Sequence, residues 1–262
     1  MMKNKLNELK TAWAGNTCLC FDCLDSTQEY AKVLAKKENV HGTLICAEEQ
    51  TAGKGRRGRV WTSPKGTAIY MSLCLEPKMQ PDRVAGLTLV MALAAAMGIR
   101  EATGVETQIK WPNDLVVNGK KVCGILTEMM FKEEGYAVII GTGINVNTDT
   151  FPEEIRETAT SLRRELGKEL EKENIIVSVM KYFEIFYEQY EKTEDFSLLK
   201  EAYETLLANK DKSVRVLDPK GAYDGIARGV NDAGNLMVVR EDGSTVEIDS
   251  GEVSVRGIYG YV

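Results

Sequence analysis

The sequence predicts an α+β fold, a mixed sheet with flanking helices followed by a small all-β unit, and three observations carry that expectation. Apolar segments with strand-like alternation fall at residues 43–47, 68–75 and 115–141. Two longer stretches, Pro81 to about Ala102 and Pro152 to about Ala208, have helical texture. Beyond Asn209 the chain breaks into short strands punctuated by Asp218-Pro219, Asn231-Asp232 and Asp242-Gly243, as in a small β-barrel. The expected units are therefore 1–208 and 209–262.

In chain order, Cys18 and Cys20 stand two apart on a strand-like segment. Ser26 and Glu29 have capping-box spacing and precede Tyr30, Ala31, Val33, Leu34 and Ala35, so a helix starts there. After a turn near Asn39 to Gly42, Thr43 to Ala47 reads as a buried strand, and Ala68 to Leu75 alternates apolar residues at Ile69, Met71, Leu73 and Leu75. Pro81 opens the next helix, and a short strand from Ile109 to Trp111 ends at Pro112. Leu115 to Val117, Asn118-Gly119 and Val122 to Met130 form a hairpin, because an Asn-Gly pair accepts the positive φ of a tight turn. Tyr136 to Gly141 is expected to pair with it. Val179, Tyr182, Phe183, Phe186 and Tyr187 then follow helical spacing and read as core. The last short strands are Val214 to Leu217, Gly225 to Val230, Leu236 to Val239 and Val246 to Ile248.

Composition narrows the function. The chain has 262 residues, 44% hydrophobic and 27% charged, with ample material for a core. A formal charge of −6 and a pI near 5.2 argue against general binding to phosphate backbones. The most apolar stretch, Val84 to Ile99, contains Gly86, Thr88 and Gly98 and is short for a bilayer, so a buried helix and no membrane span are expected. Met1-Met2-Lys3-Asn4-Lys5 leads into polar residues rather than a signal core, which makes the cytoplasm the default location. Six cysteines in such a chain read as reduced thiols. A metal site at Cys18, Cys20 and Cys23 would need a fourth ligand. The sole histidine, His41, has no evident triad partner and reads as a loop residue.

The segment Gly53-Lys54-Gly55-Arg56-Arg57-Gly58-Arg59 satisfies the three-glycine dinucleotide pattern, but a strand rather than a helix follows it, so that reading fails. What remains is four cations in six residues on a glycine-rich backbone in an acidic protein. An anion would relieve their mutual repulsion, glycines let backbone N–H groups approach it, and arginine forks pair with phosphate or carboxylate oxygens. A solvated basic loop is the plain alternative. Its position on a long connection between two strands favours a functional lid. A second group is Lys110-Trp111-Pro112-Asn113-Asp114 followed by Lys120-Lys121-Val122-Cys123-Gly124. On a strand, Lys110 would need an anionic partner, while Lys121 just beyond a tight turn could be a solvated hairpin residue.

Together with Ser26-Thr27-Gln28, Gln50 and Gly141-Thr142-Gly143-Ile144-Asn145, these segments resemble the biotin protein ligase family in content and order, with motifs over roughly residues 20 to 150. The resemblance implies a catalytic domain of the biotin/lipoate ligase type with a small SH3-like β-barrel behind it. It also implies an enzyme that makes biotinyl-5′-AMP from biotin, ATP and Mg²⁺ and passes the biotinyl group to a lysine of a biotin carboxyl carrier domain. By motif position, Ser26, Thr27, Gln28 and Gln50 would take the ureido end of biotin. Gly53, Lys54, Gly55, Arg56, Arg57, Arg59 and Trp61 would close over the adenylate. Lys121, with Arg56 and Lys110, would be the catalytic cations, Gly124 would border the ligand, Asn113 and Asp114 would help to place Mg²⁺ and the triphosphate, and Trp111 and Asn145 would support the nucleotide. The family loop commonly carries arginine where this chain has Lys54, and a lysine loses the planar fork. Some relatives carry a DNA-binding domain. Only 25 residues precede Ser26, so the form expected is monofunctional with no DNA partner. Homodimerisation is left open, as are a lipoate-type ligase and a non-catalytic regulator.

Overall fold

The computed structural model describes residues 9–218, 221–249 and 254–257. Its larger part is a seven-stranded sheet built from β1 (Thr17–Phe21), β2 (Thr43–Ala47), β3 (Ala68–Leu75), β4 (Gln108–Lys110), β5 (Asp114–Val117), β6 (Lys120–Phe131) and β7 (Tyr136–Asn145). The order is β1-β2-β3-β7-β6-β5-β4. β1 and β2 are parallel and every other neighbour pair is antiparallel, which makes the sheet mixed, as expected.

Strand alternation sorts the side chains into two layers. Leu44 and Cys46 of β2 join the large core with Met71, Leu73, Ile140 and Ile144, under the helices α2 (Gly86–Thr103) and α4 (Lys172–Thr193). Ile45, Cys74, Ala137 and Ile139 point the other way and meet Ala31 and Ala35 of α1 (Thr27–Ala35). The N-cap of α1 is Ser26, whose hydroxyl accepts from the Glu29 N–H. The helical segment Pro81–Thr103 that contains the apolar stretch is, at mean hydropathy 1.5, long and apolar enough to cross a membrane by length and composition alone. In the fold 72% of its apolar window is buried, and it is the central core helix.

The helical texture after Pro152 divides into a 3₁₀ turn at Glu153–Ile155, α3 (Leu162–Leu166), α4 and α5 (Lys200–Leu206). Local signals make the breaks. Ser161 caps α3, Gly167 ends it at φ 71°, and Glu194 ends α4 in the left-handed region at φ 52°. Of the residues expected in the core by their helical spacing, Val179, Phe183 and Tyr187 are buried, while Tyr182 and Phe186 are only partly buried and pack against its edge.

The C-terminal sheet contains β8 (Ser213–Leu217), β9 (Tyr223–Val230), β10 (Leu236–Val239), β11 (Thr245–Ile248) and β12 (Ser254–Gly257), in the antiparallel order β11-β10-β9-β8-β12. The fifth strand, β12, is absent from the sequence reading. The sheet is tied to the larger part beside β4. The Ala208 N–H donates to the Ile109 carbonyl at 2.8 Å, Asn209 Oδ1 accepts from the Trp111 N–H at 3.0 Å, and the Trp111 indole N–H donates to the Gly234 carbonyl at 3.1 Å. All six cysteines are free, and no cluster of three His, Cys, Asp or Glu suited to a metal occurs among the described residues. His41 is a loop residue whose Nδ1 accepts from the Glu76 N–H and whose ring lies 4.8 Å from that of Trp13.

Candidate functional site

The α1 face of the sheet holds a small cavity of about 60 Å³ that adjoins a larger one of about 650 Å³. Five residues border both: Gly55, Arg56, Trp61, Asn113 and Lys121. The boundary between the cavities is thus drawn by two cations, an amide and an indole.

The start of α1 and the strand β3 build the closed end of the small cavity. Thr27 donates from its backbone N–H (2.8 Å) and its hydroxyl (3.1 Å) to Gln50 Oε1, and Gln50 Nε2 donates to Ser63 Oγ at 3.0 Å. The Thr27 and Ser72 hydroxyls lie 2.9 Å apart, and Ser72 Oγ donates to Gln28 Oε1 at 3.1 Å. Gln28 Nε2 in turn donates to the Ile139 carbonyl at 3.1 Å. Thr27, Gln28 and Ser72 are all buried, so this network fixes their rotamers. Each hydroxyl and amide keeps donor or acceptor capacity that these bonds do not use.

The glycine- and arginine-rich loop covers the open side. It folds back on itself as a narrow hairpin: the Trp61 N–H donates to the Gly53 carbonyl at 2.9 Å, and the Gly55 N–H donates to the Arg59 carbonyl at 2.8 Å. A 3₁₀ turn, Arg56–Gly58, makes the tip, with Arg57 in the left-handed region at φ 58°. Arg56 reaches inward and donates to Asn113 Oδ1 at 2.8 Å. Burial, and secondarily the charge of Arg57, push its pKa down from the usual arginine value, with Asp114 opposing. Lys54 points to α1 and pairs with Glu29 at 2.8 Å, and Glu29 also holds Lys32 at 2.9 Å. Lys54 first and Lys32 second hold the Glu29 carboxyl below the usual glutamate range.

Trp61 lies flat across two strands. A methyl group at Gly143 of β7 would come within 2.6 Å of its ring, and one at Gly124 of β6 within 2.8 Å, so both positions must be glycine for the indole to sit there. The ring is 5.3 Å from the Lys121 ammonium, and its buried N–H has no partner among the described residues. Lys121 follows the tight turn at Asn118 (φ 50°) and Gly119 (φ 74°), and its Nζ lies 2.6 Å from Asp114 Oδ1. Asn113 Nδ2 donates to the same Asp114 oxygen at 3.1 Å.

The structure therefore brings Ser26, Thr27, Gln28, Gln50, Lys54, Gly55, Arg56, Trp61, Asn113, Lys121 and Gly124 to the small cavity. Arg57, Arg59, Lys110, Trp111, Asp114 and Asn145 line the larger one, with Lys110 buried on β4 opposite Asp114 of β5. Gly53 lines neither cavity and acts through its carbonyl at the loop base. Trp111 is 1% exposed and forms a fixed wall at the junction with the C-terminal sheet, and Asn145 Nδ2 donates to the Thr160 carbonyl at 3.1 Å. Three contributors are missing from the sequence reading. Ser72 carries a signal, a hydroxyl inside an otherwise apolar strand. Glu29 read only as a capping residue. The wall from Thr148 to Ala159, with Phe151, Ile155 and Thr158, carries no motif.

Sequence comparison decides the family. The model of the biotin/lipoate A/B protein ligase family matches residues 20–145, and that of the biotin protein ligase C terminal domain matches residues 211–256. The bifunctional ligase/repressor BirA of Bacillus subtilis is 40% identical over 238 residues, which span 90% of this chain and 73% of that protein. The chain belongs to the biotin protein ligase family. A biotin--[acetyl-CoA-carboxylase] ligase of Paracoccus denitrificans is 31% identical, over 89% of this chain and 98% of that protein. Among solved structures, the biotin protein ligase from Aquifex aeolicus in complex with biotin and ATP superposes with a TM-score of 0.81 at 32% identity, covering 92% of this chain and 99% of that one. The mixed sheet and the C-terminal sheet are thus the family's fold.

Proposed function

We propose that this chain activates biotin with ATP to biotinyl-5′-AMP and transfers the biotinyl group to a lysine of a biotin carboxyl carrier domain. The observation that carries the reading is the pair of joined cavities, one bordered by the hydroxyls and amides of Ser26, Thr27, Gln28, Gln50 and Ser72 and the other by cations, with Lys121 and Arg56 at the join. The domain division at residue 209 belongs to the same reading. It is supported by two separate sheets and by family matches that fall on either side of it.

The ureido group of biotin suits the closed end, where Ser26, Thr27, Gln28 and Gln50 offer hydroxyls and amides. An unpaired buried ureido carbonyl would cost about 1–3 kcal/mol. The carboxylate then lies at the join. Its oxygen attacks the α-phosphorus of ATP, the bond to the β-phosphate oxygen breaks, and pyrophosphate leaves. Two anions approach in this step, so fixed positive charge at Lys121 and Arg56 lowers the barrier without a covalent enzyme intermediate. In the second step the neutral ε-amine of the carrier lysine attacks the anhydride carbonyl, its proton is lost, and AMP departs. Lys121 can stabilise the phosphate charge in both directions.

Magnesium supplies charge neutralisation on the triphosphate when bound. Asn113 and Asp114 fit such an ion as two members of a shell completed by phosphates and water, which is how magnesium is ordinarily held. Their oxygens already accept from Arg56 and face Lys121, so the pair also orients the two cations. Lys110, Arg57 and Arg59 would face the polyphosphate, and Asn145 and Trp111 would bound the nucleotide. A lipoate-type ligase is disfavoured by the spare donor and acceptor capacity of the hydroxyls and amides in the small cavity, which a ureido group can use and an apolar dithiolane tail cannot.

The deciding assay is ATP-dependent incorporation of radiolabelled biotin into a purified carrier domain, with thermal shifts by biotin, lipoate and octanoate alongside. Labelled carrier and a shift by biotin alone are expected. Stabilisation by lipoate with no labelled carrier would overturn the assignment. Lys121→Ala is expected to abolish nearly all biotin-dependent pyrophosphate release while leaving the fold intact.

A further inference from the structure

We propose that Glu165, outside both cavities, is a positioning residue that sets the orientation of Lys121. The inference deepens the reading of Lys121 as the central cation. It starts from an irregularity in the sheet: the register between β5 and β6 shifts at Leu115/Val116, so that Leu115 faces Cys123 and Val116 faces Lys121. Val122 is left without a partner on β5. Such a bulge re-aims the neighbouring side chain. On its other edge β6 has also lost its regular neighbour, because the last β7 residue paired with it is Ile144, opposite Cys123.

A returning strand of chain takes the place of β7 beside Lys121. The Lys121 N–H donates to the Thr158 carbonyl at 2.7 Å, and the Thr160 N–H donates to the Lys121 carbonyl at 2.9 Å, a parallel bridge centred on Ala159. This limb belongs to the wall of the larger cavity, since Thr158 and Ala159 line it together with Lys121. The catalytic lysine is thus held by its backbone to the same segment that borders the nucleotide space.

Glu165 of α3 grips both sides of this arrangement. Its Oε1 accepts from the Thr160 hydroxyl at 2.5 Å, and its Oε2 accepts from Asn118 Nδ2 at 2.7 Å. Asn118 lies in the tight turn three residues before Lys121, and Thr160 is bonded to Lys121 itself. One carboxylate therefore ties the hairpin turn to the returning limb across Lys121. α3 is itself anchored, because Ser161 donates to the Thr148 carbonyl at 2.6 Å and caps the helix, and Leu162 is fully buried. The carboxylate is held on a fixed base rather than on a free loop.

The ammonium of Lys121 stands at the end of a long side chain, so a small tilt of its backbone moves it by a larger amount at the reacting atoms. Misplacement of about 1 Å at a reacting centre costs on the order of 100-fold in rate. Removing the brace should therefore lower the adenylation rate and leave the closed end, built from α1 and β3, as it was.

The test uses biotin-dependent pyrophosphate release, biotin affinity and melting temperature of the full chain with Glu165→Ala, Glu165→Gln, Asn118→Gly and the Glu165→Ala/Asn118→Gly double variant. Glycine keeps the positive φ of the turn, so Asn118→Gly removes only the side-chain bond. The expected result is kcat about tenfold lower for Glu165→Ala and about threefold lower for Asn118→Gly, with the biotin Kd within about twofold of wild type. Glutamine can still accept from Asn118 and donate to Thr160, so Glu165→Gln should recover most of the rate. The double variant should be no slower than Glu165→Ala, because both substitutions break one linkage. An unchanged kcat in Glu165→Ala, multiplicative losses in the double variant, or biotin affinity falling in step with kcat would each overturn the proposal. If Glu165→Ala does not fold, Asn118→Gly alone decides it, by the same split between kcat and Kd. Wild-type protein without biotin-dependent pyrophosphate release would instead sink the proposed activity.

Discussion

Gly143→Ala isolates the part played by Trp61. The added methyl would lie 2.6 Å from Trp61 Cε2, 2.7 Å from Nε1 and 2.8 Å from Cζ2, roughly 1 Å inside ordinary contact. Either the strand or the indole must give way. β7 lies between β3 and β6 with pairs along its whole length, whereas Trp61 belongs to a loop held mainly by its own hairpin bonds and by Arg56. The loop should yield. Overpacking of this kind costs about 1–3 kcal/mol, which here falls on the closed form of the loop. At 1.4 kcal/mol per factor of ten, that is a biotinyl-AMP dissociation rate raised by about 5- to 150-fold. The assay is dissociation of labelled biotinyl-AMP from the preloaded enzyme, with calorimetry on the same samples. A faster release with a nearly unchanged melting temperature is expected. An unchanged release rate with a melting temperature lowered by several degrees would show that the sheet yields and that Trp61 does not retain the adenylate.

Arg56→Gly removes the bond to Asn113 and the half-buried cation at the join, and it should leak biotinyl-AMP into solution, measured as adenylate recovered in a filtrate; full retention would count against the loop as a lid. Trp111→Phe deletes the indole donor to the buried Gly234 carbonyl at the junction of the two sheets. A loss of about 1–3 kcal/mol in unfolding stability is expected, with the biotin-induced thermal shift preserved. His41 has its pKa lowered, chiefly by burial, with Glu191 and Glu76 opposing. Its contribution is therefore fully present above the unfolded value near 6.5 and is lost as the pH falls through the folded one. The drop in melting temperature between about pH 7.5 and 5.5 should be smaller in His41→Gln, and an equal drop would remove His41 from the acid sensitivity.

What the sequence disclosed depended on how local each signal was. Ser26 to Glu29 announced a capped helix start, Asn118-Gly119 announced a hairpin, and both stand where expected because a cap and a tight turn are decided by two to four residues. The clustering of cations in the loop was equally visible. The run after Pro152 looked like continuous helix because its apolar spacing is helical throughout, while the breaks depend on single residues, Gly167 and Glu194, in left-handed conformations. Ser72, Glu29 and Glu165 could not be ranked from the string. Each acquires its role from a partner far along the chain: Thr27 and Gln28 for Ser72, Lys54 for Glu29, and Asn118 for Glu165. The parallel pairing of β1 with β2 was hidden for the same reason, since it is set by the crossover through α1.

The acidic composition and the basic loop are reconciled by where the partners come from. Two unit charges about 6 Å apart repel by about 3 kcal/mol at an effective dielectric constant near 20, so a loop with four cations would not stay folded over a cavity unaided. Here two of the four loop cations are held from outside the loop, Lys54 by Glu29 on α1 and Arg56 by the side-chain oxygen of Asn113, while Lys121 on β6 is held by Asp114 on β5. Both loop partners lie outside the loop, so closing the loop and engaging Lys54 and Arg56 are a single event. The same arrangement bears on Lys54, where an arginine fork is the family's usual choice. With Glu29 four-tenths exposed and shared with Lys32, the Lys54 pair is one of low strength, on the order of 0.2–1 kcal/mol. Lys54 therefore fastens the loop lightly at its outer end, while Arg56, half-buried beside Asn113, is the residue placed to answer an arriving adenylate. Retention of the intermediate should accordingly be governed by Arg56 and Trp61 more than by Lys54.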